Sequence, residues 1–417
     1  MYTLTIYIYM MAIGIVAIFN TRARKLAVGH RKAFDLLKQQ VQPAERYVWF
    51  HAASLGEFEQ GRPLMERLRR EHPEFKILLT FFSPSGYEVR KDWSGADVIC
   101  YLPLDTPANV RRFFHIVQPQ ALFLIKYEFW QNYLKGCARR GIPVYSVSSI
   151  FRPNQIFFRW YGRGYAHVLD KVTYFFVQNE QSRELLSTLG HRDNVRVVGD
   201  TRFDRVIDIR RAAKPLPLVE RFAQDAEIFV AGSSWPPDEA LFIPWFVERV
   251  KNSGKRTKMI IAPHLIHESH LRDIEAALCN CKVLRYSAAN EDNVAEADVL
   301  IIDCFGLLSS IYRYGRLAMV GGGFGEGIHN VPEAAVYGLP VLIGPNNRNF
   351  REARYLIDAG GVFEVTDAAT FAAAVNRLLA DATAWQRAAD ASKTYITGNA
   401  GATDIIYEHV FTQVSHS

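Results

Sequence analysis

A glycine-dense loop between two apolar runs, followed by a polar helix start, is the part of this chain best suited to hold an anion. Residues 317–345 read LAMVGGGFGEGIHNVPEAAVYGLPVLIGP. The apolar run 317–320 leads into Gly321, Gly322, Gly323, Gly325 and Gly327. His329-Asn330-Val331-Pro332-Glu333 follows, with Pro at a helix start where its missing N–H costs nothing. Gly338 ends the helix, and 340–343 reads as a second strand. Glycine amides beside a helix N-terminus suit a phosphate, and a carboxylate in the first turn is placed to accept hydrogen bonds from ribose hydroxyls. That is the chemistry of a nucleotide-sugar pocket. Neither G-x-G-x-x-G nor G-x-x-x-x-G-K-[ST] occurs here, so a dehydrogenase or a P-loop NTPase loses its support. A loop whose glycines serve only a tight turn is the plainer reading.

A second candidate lies near the front of the chain. Ser54-Leu55-Gly56-Glu57 follows a short apolar run at 47–51, which puts it at the carboxyl edge of a sheet. By spacing alone it is a capping box, with Ser54 capping a helix and Glu57 reaching back to a backbone N–H. A third candidate, 149–165, interleaves Phe151, Phe157, Phe158, Trp160 and Tyr161 with Arg152, Arg159 and Arg163. Aromatics alternating with cations suit single-stranded nucleic acid, or a lipid surface carrying phosphates; a core helix with snorkelling arginines is the plain alternative.

The N-terminus favours the lipid. Residues 2–19 carry no charge, enough to cross or deeply enter a bilayer, and Arg22, Arg24, Lys25, His30, Arg31 and Lys32 follow. The positive-inside rule leaves the rest of the chain in the cytoplasm. Residues 1–214 hold 32 Lys+Arg against 19 Asp+Glu, and 215–417 hold 17 against 24, so the front half faces the anionic partner. Five scattered cysteines without a C-x-x-C pair suit a reducing compartment rather than a disulfide or zinc framework. His267, Glu268 and His270 have no evident third ligand, so no metal site is read.

Positioning these groups requires a scaffold, and 417 residues predict two domains. Apolar runs at 47–51, 76–82, 98–102, 121–125, 144–148, 174–177 and 195–198 alternate with helical stretches. The pattern restarts at 228–231, 259–262, 283–286, 299–303, 317–320, 341–343 and 362–365. Such alternation predicts an α/β chain of two doubly wound, Rossmann-like domains with parallel sheets. The proline-bearing stretch 210–217 is the expected linker. This gives an anchor over 1–21, an acceptor domain over 22–212 and a nucleotide-sugar domain over 213–417. Ligands in such sheets sit at the carboxyl ends of strands, which predicts a site in a cleft between the halves.

Seven motifs at strand ends, in order, carry a family resemblance. They are HAASLGE (51–57), YEFWQN (127–132), QNE (178–180), GDTRFD (199–204), APH (262–264), DCFG (303–306) and GGGF…HNVPEAA…PVLIGP. The set resembles the 3-deoxy-D-manno-octulosonic acid (Kdo) transferases of lipid A and lipopolysaccharide biosynthesis. The resemblance implies a GT-B glycosyltransferase of the Gram-negative inner membrane. It would move Kdo from CMP-Kdo to a lipid A precursor with inversion, without a metal or other cofactor, and would bind no nucleic acid. The absence of any D-x-D agrees on the metal. The resemblance makes Glu57 the general base, with Glu128 and Arg202 assisting, Arg202 standing where the family has Lys. Pro263, His264, Phe305, Gly306, Leu307, Asn330, Val331, Pro332 and Glu333 fall on its CMP-binding positions. Arg152, Phe157, Phe158, Arg159 and Trp160 become an acceptor or membrane patch. Three positions depart from the family: Lys126 and Leu307 replace glutamates, and no arginine precedes His264. Two other readings stay open: a GT-B enzyme using a UDP- or GDP-sugar, and a tethered, non-catalytic nucleotide-binding protein.

Overall fold

The computed structural model describes residues 2–252, 257–325 and 327–414. Each of the fourteen expected apolar runs is a strand, with ends within three residues of those expected. In the first unit they are β1 (Arg46–Ala52), β2 (Phe75–Phe81), β3 (Val98–Tyr101), β4 (Pro119–Ile125), β5 (Val144–Ser149), β6 (Tyr174–Val177) and β7 (Val195–Val197). They pair in parallel in the order β3-β2-β1-β4-β5-β6-β7. Side chains on a strand point alternately to the two faces, and β1 shows the consequence. Tyr47 and Trp49 enter one core with Leu78, Phe113 and Phe175, whereas Val48 and Phe50 enter another with Ile77, Phe81 and Phe123. A sheet buried on both faces explains why these strands read as unbroken apolar runs.

The second unit repeats the plan with β8 (Glu227–Ser234), β9 (Thr257–Pro263), β10 (Val283–Arg285), β11 (Val299–Ile301), β12 (Leu317–Val320), β13 (Val341–Ile343) and β14 (Val362–Glu364). Their order is β10-β11-β9-β8-β12-β13-β14, again all parallel. Phe229, Met259 and Ile261 pack under the helices Pro236–Asn252 and Ala368–Ala380 through Phe242, Phe246, Phe371 and Val375.

The domain boundaries differ from those expected. The first unit comprises residues 1–205 and 400–417, and the second 206–399. The division therefore falls inside the helix Thr201–Ala212 rather than at 212/213, and 213–216 is only a short connection to the helix Pro217–Ala223. The C-terminal helix Ala402–Val414 belongs to the first unit. Its Ile406, Tyr407, Val410 and Phe411 fill the face of the sheet shared with Phe58 and Phe123, each such burial stabilising by about 1.5–3 kcal/mol. Asp204 fastens its start by accepting from the amides of Gly401 (2.5 Å) and Thr403 (2.7 Å). Nothing in the local pattern of a terminal helix says which of two sheets it will cover.

Two helices precede β1. They are α1 (Tyr2–Phe19), the expected uncharged segment, and α2 (Thr21–Gln40), whose His30, Ala33, Phe34 and Leu37 are buried against the first unit. Helix α3 (Leu55–Glu71) follows β1.

Candidate active site

The carboxyl edge of the first sheet gathers a buried and a half-buried carboxyl group. β1 ends at Ala52, the chain turns, and Glu57 lands in the first turn of α3, only 6% exposed. A Glu57 carboxylate oxygen accepts from the Ala53 amide, while Ser54 at the N-cap makes no side-chain capping bond. Only the backward-reaching half of the expected capping box has therefore formed. Burial raises the Glu57 pKa, and Lys126 with the Ala53 and Ser54 amides pulls it back toward the charged form.

Lys126, just past the end of β4, adopts a left-handed backbone conformation with φ 64°, which for a non-glycine residue needs support from its surroundings. Ser146 and Ser149 hydroxyls donate to its carbonyl (3.2 and 2.8 Å), and its amide donates to the Val147 carbonyl (2.8 Å). The turn carries Glu128 into a half-buried position within electrostatic reach of Glu57. Burial and the Glu57 charge push the Glu128 pKa up to about 7. The lysine that replaces a family glutamate thus sits beside the base candidate, and Glu128 is the carboxyl that meets it.

Behind this pair lies a chain of donors that sequence reading did not single out. The Trp130 indole donates to His51 Nε2 (3.2 Å), so the ring proton sits on His51 Nδ1 and faces Thr80 Oγ1 (2.9 Å). Burial pushes the His51 pKa down to about 3, leaving it a neutral positioning group. Alongside, Asp200 accepts from Gln60 (2.8 Å), Gln178 (3.0 Å) and the Arg202 amide (2.9 Å). Arg202 is half-buried in the first turn of its helix. His51, Trp130, Gln178 and Asp200 all belong to the quoted motifs; Gln60, one turn beyond Glu57, gave no signal.

The aromatic stripe does not form one surface. Residues 156–162 make two short 3₁₀ turns, which send Phe157 into the core against Phe129, Phe151 and Tyr165. Phe157 therefore leaves the expected patch, and Phe158 is half-buried beside it. Arg152, Arg159 and Trp160 stay exposed, the indole at 82%. The side chain of Arg163 lies outside those described.

In the second unit the glycine loop forms where expected, but four of its five glycine amides are already used. The amides of Gly321, Gly322, Gly325 and Gly327 donate to Gly232 O, to Asp238 Oδ2 (2.8 Å) and, for the last two, to Gly322 O. A Cβ on Gly323 would stand 2.6 Å from Gly344, so this glycine permits two backbones to approach. The tight-turn reading accounts for the loop better than the phosphate cradle does. The polar groups beside it remain suitable for a nucleotide. Asn330 caps the short helix Val331–Ala335 and donates to Glu333 (2.7 Å), while Val331 and Pro332 are buried.

Pro263 closes β9 and presents His264, which stacks on both Trp235 (4.7 Å) and His329 (4.4 Å), two rings that lie nearly coplanar with each other. The Trp235 indole donates to His329 Nε2 (3.0 Å), and burial with the neighbouring His264 pushes the His329 pKa down to about 4. Gly306 takes a left-handed conformation between exposed Phe305 and Leu307. Arg272, on the helix that follows, is exposed and paired with Glu268 (2.8 Å).

Two doubly wound units, each with functional side chains at the carboxyl edge of its sheet, define the GT-B fold. Solved structures agree on that fold. A UDP-GlcNAc 2-epimerase from Neisseria meningitidis matches with TM-score 0.60 at 15% identity, covering 88% of this chain and 100% of that one. MurG of Acinetobacter baumannii matches with TM-score 0.53 at 11% identity, covering 88% and 99%. Residues 27–205 match the family model of 3-deoxy-D-manno-octulosonic-acid transferase (kdotransferase). The 3-deoxy-D-manno-octulosonic acid transferase of Aquifex aeolicus is 28% identical over 346 residues, 82% of this chain and 88% of that protein. Its counterpart in Haemophilus influenzae is 26% identical over 370 residues, 86% and 85%. Over most of its length the chain is therefore similar to Kdo transferases, which are glycosyltransferases.

Proposed function

We propose that this enzyme transfers Kdo from CMP-Kdo to a lipid A precursor, lipid IVA, at the cytoplasmic face of the inner membrane. The observation that carries the reading is the carboxyl pair of buried Glu57 and half-buried Glu128, set apart by environment. Lys126 and two amides favour charge on Glu57, while burial and Glu57 itself favour the proton on Glu128. Environments that push two such groups apart assign a base and an acid.

Glu57 takes the proton of the acceptor's primary hydroxyl as that oxygen attacks the Kdo anomeric carbon. The bond from that carbon to the CMP phosphate breaks with its electron pair, CMP departs, and the anomeric configuration inverts. Protonated Glu128 donates a hydrogen bond to the reacting sugars, the role left vacant by the glutamate replaced at Lys126. Arg202 offsets charge on the departing phosphate. Asn330 and Glu333 hold the ribose, with the His264 ring against the nucleotide. No metal takes part. Helix α1, long and apolar enough to enter a bilayer, keeps the enzyme beside its lipid substrate, with Arg152, Arg159 and Trp160 at the headgroups.

The test is to incubate the purified enzyme with a lipid A precursor and, in turn, CMP-Kdo, UDP-sugars and GDP-sugars, and to weigh the products. A mass gain of one or more Kdo units from CMP-Kdo alone is expected. Transfer from a UDP- or GDP-sugar instead would overturn the donor assignment.

A further inference from the structure

The contacts of α1 are those of a helix laid across the sheet edge that holds Glu57 and Glu128, rather than of a tether leading away from it. Its inner stripe is Tyr2, Ile6, Tyr9 and Ile13, at the four- and three-residue spacing of one helix face. The Tyr2 hydroxyl donates to Asp105 Oδ2 (2.7 Å) and accepts from the Gln131 amide (3.3 Å), and the Tyr2 ring stacks on Tyr165 (5.8 Å). Asn132 donates to the Thr3 hydroxyl (3.5 Å), and Ile6 is buried. Tyr9 stacks on Phe82 (6.2 Å), which itself packs on Trp130 (4.9 Å), and the Tyr9 phenol lies within electrostatic reach of Glu128. Phe82 follows β2, Asp105 follows β3, Glu128–Asn132 follow β4 and Tyr165 follows β5. The first half of α1 therefore touches the segments after β3, β2, β4 and β5, on both sides of β1. Its far end is tied to α2, where Arg24 donates to the carbonyls of Ala17 (3.1 Å) and Ile18 (2.8 Å).

The opposite stripe, Leu4, Ile8, Met11, Ile15 and Ile18, is 53–64% exposed. An in-plane membrane helix ordinarily needs a polar face toward water. This one has none; instead its Tyr2, Thr3 and Ile6 rest against the first unit. A membrane-crossing helix would carry its first turn to the far side of the bilayer, about 27 Å away for eighteen residues. Here that turn is bound to the same unit as the last one. Moving it away would strip the buried Asp105 of a donor and uncover Ile6.

We propose that α1 does not cross the bilayer but lies within one leaflet along the first unit, and that its inner face, through Tyr9, forms a wall of the acceptor site. Lipid is then the occupant of the outer stripe, with the exposed Arg22, Arg24 and Lys25 of α2 in reach of lipid phosphates. Only the Tyr9 clause rests on the acceptor reading above; the topology stands without it.

The topology is tested on the full chain carrying a protease-cleavable tag ahead of Met1. The tag is expected to be cut in sealed inside-out membrane vesicles and protected in intact spheroplasts; the reverse pattern overturns the proposal. As a second measurement, Thr3→Cys with Asn132→Cys, in a Cys279→Ser background, should join through a short bis-thiol reagent in native membranes. Failure to join while each cysteine reacts singly overturns it as well. For the wall, Tyr9→Ala should raise the acceptor KM by roughly 3- to 10-fold, the worth of one aromatic contact, with the CMP-Kdo KM unchanged. An unmoved acceptor KM removes Tyr9 from the site, whereas equal shifts for both substrates point to a folding defect and likewise overturn the role.

Discussion

The carboxyl edges of the two sheets hold opposite kinds of site on the same framework. In the first unit the ionisable groups are acidic and drawn out of solvent: Glu57 is buried, Glu128 is half-buried near it, and the buried His51 is neutral. In the second, His264 and His329 stack with Trp235, Glu333 is tied to Asn330, and the buried Asp238 accepts from the Trp235 and Gly322 amides. Burial without full pairing tunes proton affinity, which a base needs. Stacked neutral rings and a half-exposed amide–carboxylate pair offer shape and hydrogen bonds, which recognition needs. The scaffold is common to both; the loops after the strands decide which chemistry each edge performs.

The contrast predicts different kinetic signatures. Glu57→Gln should leave thermal stability and CMP-Kdo binding near normal, because the amide oxygen can still accept from Ala53. kcat should fall by about 10²–10⁴, the usual worth of general base catalysis. A variant keeping more than roughly a tenth of kcat would reduce Glu57 to a helix-start residue. Glu333→Ala on the other edge should act on KM instead, raising that of CMP-Kdo by about 10- to 150-fold for a lost charged hydrogen bond of about 1.5–3 kcal/mol. Calorimetry showing unaltered CMP affinity would sink that assignment.

The two edges should also answer pH with opposite signs. The folded-state pKa of Glu128 is raised above the usual glutamate value, so its contribution to stability is full in acid and is lost as pH rises through about 7. Glu128→Gln should remove up to about 3 kcal/mol of that loss, flattening the melting temperature between pH 5 and 8. His329 has a folded pKa lowered to about 4, so its contribution is present above the usual histidine value and is lost as pH falls toward 4. His329→Asn should soften only the acid side. Parallel shifts of both limbs in either variant would show that the two groups do not act separately. The smallest effect expected is that of EDTA, which should leave turnover unchanged; a clear metal requirement would remove the comparison's premise that protein groups alone do the chemistry.

Much of the frame was legible beforehand. Strands buried on both faces must be apolar along their whole length, so each of the fourteen could be read from its own residues. The motifs at their ends were legible for the same reason, since a parallel sheet delivers every strand's carboxyl end to one edge. The glycine loop misled because glycine density reports backbone freedom, not whether the amides are free. Asp238, some eighty residues earlier, takes one of them. Phe157 misled because one sequence stripe, folded as two 3₁₀ turns, points to two sides.

By itself, the sequence determined the two parallel sheets, the order of their elements, the uncharged first helix and the residue types at the strand ends. These follow from short-range rules: side-chain period, turn chemistry and burial on one or both faces. Only the tertiary structure decided that Lys126 would face Glu57 and leave Glu128 to share its pocket. It alone assigned residues 402–414 to the first sheet and drew α1 across the edge where Glu128 lies. Each of those outcomes depends on groups far apart in the chain competing for the same buried space, and no local pattern encodes which of them will win it.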